Sequence, residues 1–206
     1  MAEDGGAILL ELRGIARPGL EPVSLKLAAG SSCVIMGPSG AGKSLLLRAV
    51  ADLDPHQGEA YLCGTACSAM PAPLWRRRVT YVPAEPGWWD DHVAAHMAKP
   101  EPAATLARRL DLPDDVMTAA IARLSTGERL RLALIRALVQ EPEVLLLDEP
   151  TGALDAAAGD KVADLLVEKR DQGLGLVIVT HDEAFGRRLA GQVRLMDGGH
   201  LGEAAP

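Results

Sequence analysis

The chain has no run of eighteen or more apolar residues, so nothing in it predicts a membrane-crossing helix. Cysteine is scarce. Cys33, Cys63 and Cys67 are odd in number, lack metal spacing and have no histidine near the Cys63/Cys67 pair, which argues against a disulfide framework. Positive charge is also short: 21 Lys and Arg stand against 28 Asp and Glu, a formal net charge of −7. The one basic run, Arg76-Arg77-Arg78, is too short to reverse that balance, and no nucleic-acid partner is expected. The start, Met1 to Gly6, is acidic and lacks the charge–apolar–cleavage layout of a signal peptide. A cytoplasmic protein is expected. No internal repeat is visible, and 206 residues suffice for one well-buried core.

What is present is organised around Gly37-Pro38-Ser39-Gly40-Ala41-Gly42-Lys43-Ser44, a G-x-x-x-x-G-K-[ST] phosphate-binding loop. The β-branched run Ser32 to Met36 before it suits a buried parallel strand, and the helix formers from Leu45 to Ala51 suit a helix beginning near Gly42. Glycines let successive N–H groups turn inward around phosphate oxygens, and the helix N-terminus adds its unpaired donors and positive dipole end. Lys43 supplies a cation for the β- and γ-phosphates, and the Ser44 hydroxyl can ligate Mg²⁺. Residues 37–45 are therefore read as a nucleotide site.

Along the chain, residues 8–13 read as an edge strand, and strands follow at 23–27, 59–64 and 79–82. From 86 to 140 the texture becomes rich in alanine, proline and charge, with helical periodicity near 93–97, 103–110, 116–124 and 127–139. This is read as a small helical insertion within a single domain spanning residues 1–206. Apolar strands at 144–147, 176–179 and 193–196 alternate with helices near 160–170 and from 185. The expected class is a mixed-sheet α/β P-loop NTPase, antiparallel toward the N-terminus and parallel at its centre.

Two further segments carry chemistry. The strand 144–147 ends in Asp148-Glu149, at the strand terminus where open α/β sheets bind ligands. An aspartate there can hold Mg²⁺ with Ser44, and a glutamate beside it can orient or deprotonate the water that attacks a γ-phosphate. Leu124-Ser125-Thr126-Gly127-Glu128 has two readings: an S-x-x-E capping box opening a helix, and an anion site built from a serine hydroxyl and a glycine N–H.

In this order the phosphate loop, Leu124–Glu128, Asp148-Glu149, Ala153-Leu154-Asp155 and Thr180-His181-Asp182 resemble the ATP-binding subunit of an ABC transporter, similar to compact bacterial subunits linked to iron export. The resemblance covers almost the whole chain. It implies a head-to-tail homodimer with ATP and Mg²⁺ as cofactors. Ser125, Gly127 and Glu128 of one copy would close on the nucleotide held by the other copy's loop, and Asp155 would communicate across the interface. Lys43, Glu149 and His181 would be the catalytic residues, with His181 near the γ-phosphate, and Ser44 and Asp148 would hold the metal. It also implies a separate integral membrane permease as partner, no insertion of this chain itself into the bilayer, and a place at the inner face of the cell membrane.

Two positions depart from the family pattern. Ala84 occupies the place of a glutamine that contacts Mg²⁺ and water, with Glu85 beside it. No aromatic lies near Arg17, where the family stacks adenine, so Arg17 becomes the candidate to stack on the base. Trp88-Trp89 either pack in the core or anchor the permease. The expected function is an ATPase subunit that drives permease movement. The alternatives are a soluble ABC-type ATPase and a poorly hydrolysing regulatory module.

Overall fold

A computed structural model describes residues 7–203. The acidic start, Met1 to Gly6, lies outside the described residues.

Two sheets form the scaffold. A four-stranded antiparallel sheet has the order β2-β1-β4-β5, from β1 (Ile8–Arg17), β2 (Leu20–Ala28), β4 (Gln57–Leu62) and β5 (Thr65–Ala66). A six-stranded sheet has the order β10-β9-β3-β8-β7-β6. Its strands are β3 (Ser32–Met36), β6 (Val79–Val82), β7 (Val144–Asp148), β8 (Gly175–Val179), β9 (Gln192–Asp197) and β10 (His200–Glu203). All its pairs are parallel except β9 with β10. The strands of the first half are thus not uniformly antiparallel: β3 and β6 belong to the parallel sheet.

The continuous apolar runs of β7 and β8 follow from burial on both faces. Val144 and Leu146 pack with α1 (Lys43–Val50), β1 and β2, whereas Leu145 and Leu147 pack with α4 (Thr126–Leu138) and α5 (Ala156–Asp171) on the opposite face. Side chains alternate across a strand, so one segment serves two cores.

Two expectations change, and one element is new. β1 is not an edge strand but an interior one, paired with both β2 and β4. Register shifts around Gly14, which has φ 63°, break the alternation that would have revealed its length. The segment 116–124 is not one helix but two 3-10 turns, Val116–Thr118 and Ile121–Arg123. There Ala119 accepts from the Val93 N–H, and Ile121 donates to the Asp91 carbonyl, so pairing with a neighbouring segment displaces helical bonding. Finally, α2 (Ala72–Arg78) was unforeseen. It seats Trp75, fully buried, whose indole N–H donates to the Val50 carbonyl at 2.9 Å. The basic run lies on this helix, where Arg78 grips Glu143 and Arg76 grips Asp52.

Between residues 86 and 140 lie a 3-10 turn Val93–His96, α3 (Pro100–Arg109), the two turns above and α4. The remaining helix, α6 (Glu183–Leu189), packs beside α5.

Candidate functional site

Four neighbouring parallel strands, β3, β8, β7 and β6, end on one side of the sheet, and a ligand crevice is expected there. The loop after β3 carries Gly37 to Gly42, β7 ends in Asp148, and β8 leads to His181. Ser39, Gly40, Ala41, Gly42, Lys43, Ser44, Leu45, Ala84, Asp148, Glu149 and His181 line one cavity of about 330 Å³. Gly37 and Pro38 underlie it: their carbonyls accept from the Lys43 ammonium at 2.7 and 2.8 Å.

Glycine is needed at two of these positions. A Cβ on Gly37, at φ 147°, would stand 2.0 Å from the Met196 carbonyl oxygen. Gly42, at φ 101°, caps α1 in the left-handed region, which side chains rarely adopt. Among the described residues no side chain caps α1, and the N–H groups of a helix's first turn have no intrahelical partner, as an anion site requires.

Asp148 is buried, and its Oδ2 accepts from the Tyr81 phenol at 3.0 Å. Burial, and then the Asp148 charge, push that phenol well above its ordinary pKa, so it stays a donor. Glu149 adopts φ 47°, a sparsely populated conformation for a residue with a side chain. Its Oε2 accepts from the His181 backbone N–H at 3.2 Å. Its Oε1 is buried without a hydrogen-bond partner among the described residues, although His181 Nε2 lies 3.1 Å away. Proximity without alignment leaves a close polar contact rather than a hydrogen bond.

The remaining candidates lie outside this cavity. Ser125 caps α4 through a complete capping box. Its Oγ accepts from the Glu128 N–H at 3.2 Å and donates to Glu128 Oε2 at 2.8 Å, and its own N–H donates to Oε2 at 2.8 Å. Gly127 packs on the turn after Glu149, where a Cβ would meet the Ala153 carbonyl at 2.9 Å. Asp155 caps α5 by accepting from the Ala158 N–H. Arg17 is bound to Asp54, which Arg48 also grips with two bonds of 2.7 Å, and it does not line the cavity. Arg48 first, then Arg17, hold the Asp54 carboxyl far below the usual carboxylate range.

Tyr81 is the residue that sequence reasoning missed. The signal was present as a lone polar-tipped aromatic in the strand beside the one ending in Asp148, but strand order is not written in the sequence.

Residues 20–152 match the ABC transporter family. The chain belongs to that family. It is 37% identical over 176 residues to the probable iron export ATP-binding protein FetA of Escherichia coli, covering 80% of this chain and 78% of the relative. It is 34% identical over 197 residues to the lipoprotein-releasing system ATP-binding protein LolD of Syntrophus aciditrophicus, covering 87% and 88%. It is also 37% identical over 204 residues to the taurine import ATP-binding protein TauB of Pseudomonas aeruginosa, covering 93% and 76%. In fold it resembles a solved ATP-binding subunit of an ABC transporter at TM-score 0.85 and 22% identity, over 95% of this chain and 90% of that one. The family makes this an ATP-binding, ATP-hydrolysing transporter subunit with a mixed-sheet P-loop fold.

Proposed function

We propose that two copies of this ABC ATPase close head to tail around two ATP molecules, and that closing and reopening move separate integral membrane permease subunits. One observation carries the reading. The phosphate loop, Asp148, Glu149 and His181 share a cavity, while Ser125 and Gly127, at the tip of another helix, do not line it. In this reading a γ-phosphate held in one copy's cavity takes its second set of donors from the other copy. Both copies contribute alike, so the arrangement closes on itself as a two-fold dimer.

Within each half, Lys43 and the first-turn N–H groups of α1 hold the phosphates. Ser44 and Asp148 fit a magnesium ion: both are oxygen donors on the cavity wall, and Ser44 makes no side-chain hydrogen bond among the described residues. No group of three His, Cys, Asp or Glu side chains able to hold a metal occurs among the described residues. Nucleotide oxygens are then needed to complete the shell, as Mg²⁺ usually requires. When bound, the ion neutralises charge on the β- and γ-oxygens. Glu149 Oε1, with no hydrogen bond of its own among the described residues, is the acceptor that orients the attacking water. His181 is the neighbouring contact for the γ-phosphate, and Leu45 belongs to the phosphate-binding turn. Glu128 acts on the trans site through Ser125. Arg17 is the residue nearest the adenine in this reading, steadied by Asp54.

The whole chain is one ATPase domain with the helical part at 86–140 inserted in it. It sits on the inner face of the cell membrane without entering the bilayer, with the permease and not nucleic acid as partner. The permease surface is supported by Trp89, 72% exposed beside a cavity of about 420 Å³, with Arg136 stacked over it and over Trp88 at 5.0 and 4.6 Å.

Glu149→Gln tests the dimer. It keeps the shape of the side chain and removes its basicity, so turnover falls by about 10²-fold or more. The variant is expected to elute as a dimer in ATP by size exclusion with light scattering. A variant that stays monomeric in saturating ATP rules the closing mechanism out for this chain.

A further inference from the structure

Asp148 is the last residue of β7, only 5% exposed, and a single hydrogen bond among the described residues fixes its carboxylate. The donor is the Tyr81 phenol, reaching across from β6, where Val82 pairs with Leu147. The Tyr81 ring packs against the core shared by β1, β2 and α1, so the phenol is held in place by its own packing. On the loop that follows β6, Ala84 presents only a methyl group to the cavity. Glu85, the next residue, does not line this cavity, so the direction of the Asp148 carboxylate matters more.

We infer that Tyr81 is a positioning residue: by holding Oδ2 of Asp148, it presents the other carboxylate oxygen to the divalent cation that accompanies bound nucleotide. This rests on the metal-holding role proposed above for Asp148. A carboxylate freed from its anchor rotates about its side-chain bonds and spends less time facing the ion. Partners that orient a metal ligand typically contribute about 10- to 100-fold in metal affinity.

Tyr81→Phe keeps the ring and deletes the hydroxyl. Mn²⁺, titrated into the full chain saturated with a non-hydrolysable ATP analogue and followed by electron paramagnetic resonance, is expected to bind about 10-fold more weakly to the variant. Binding of the analogue in EDTA, and the melting temperature without nucleotide, are expected to match the wild type. Raising Mg²⁺ is expected to restore the ATPase rate, because affinity and not chemistry has been lost. Unchanged Mn²⁺ affinity overturns the inference. So does an equal weakening of analogue binding in EDTA, which would assign the phenol to packing alone. Asp148→Asn, measured in parallel, separates the two layers. If it weakens Mn²⁺ binding and Tyr81→Phe does not, only the positioning role is wrong; if neither does, the metal site itself is wrong.

Discussion

His181 meets Glu149 twice. Its backbone N–H donates to Oε2 at 3.2 Å, and its imidazole Nε2 stands 3.1 Å from Oε1. The first contact belongs to the peptide and survives any side-chain change. The second depends on the ring, which is about half exposed and so is free to turn toward a ligand.

His181→Ala therefore leaves Glu149 anchored and removes only the imidazole. ATP affinity, measured with a fluorescent nucleotide, is expected to stay within about 3-fold, while kcat falls by about 10²-fold, as for loss of one preorganised donor. An unchanged kcat takes the imidazole out of the reaction and leaves His181 with a backbone role.

Trp88 and Trp89 have different fates. Trp88 is half-buried against the core around α4, its indole N–H without a partner among the described residues, whereas Trp89 is mostly exposed. Both rings meet His96 edge-on at 4.9 and 4.3 Å. Trp88→Ala is expected to cost stability, up to about 3 kcal/mol, as a partly buried aromatic truncation. Trp89→Ala is expected to stay within about 0.5 kcal/mol, as a surface change. It should spare ATP binding and lose co-purification with the permease. Retained co-purification of Trp89→Ala leaves the ring with no anchoring role.

Much of the site is legible in the sequence because its chemistry is local. The glycines, Lys43 and Ser44 are contiguous, and Asp148-Glu149 end a recognisable apolar strand. The six-stranded sheet then brings these segments together. The Tyr81–Asp148 bond joins residues 67 positions apart through the pairing of β6 with β7, and no spacing rule reports it. The same limit applies to Arg17, whose guanidinium is bound by Asp54, a partner that the fold brings near and that no spacing rule reports. The short 3-10 turns near residue 120 show the converse, where helical periodicity yields to bonds made with a distant strand-like segment.

Ser125 has two duties that mutation can separate. It caps α4, and in the proposed dimer it also reaches the neighbouring copy's γ-phosphate. Ser125→Ala removes both, while Glu128→Ala breaks the capping box and leaves the hydroxyl free. Each is expected to cost about 1 kcal/mol of stability and so to lower the melting temperature by about 2–4 °C. The N–H and hydroxyl of Ser125 hold the Glu128 carboxyl below its usual range. That contribution is intact above the ordinary carboxylate pKa, about 4.3, and fades as the pH falls through the lowered folded value. The two variants part in function. In the Glu149→Gln background, Ser125→Ala is expected to lose the ATP-dependent dimer seen by light scattering, and Glu128→Ala to retain most of it. Equal retention by both would confine Ser125 to capping, and the second set of γ-phosphate donors would have to be sought elsewhere on the chain.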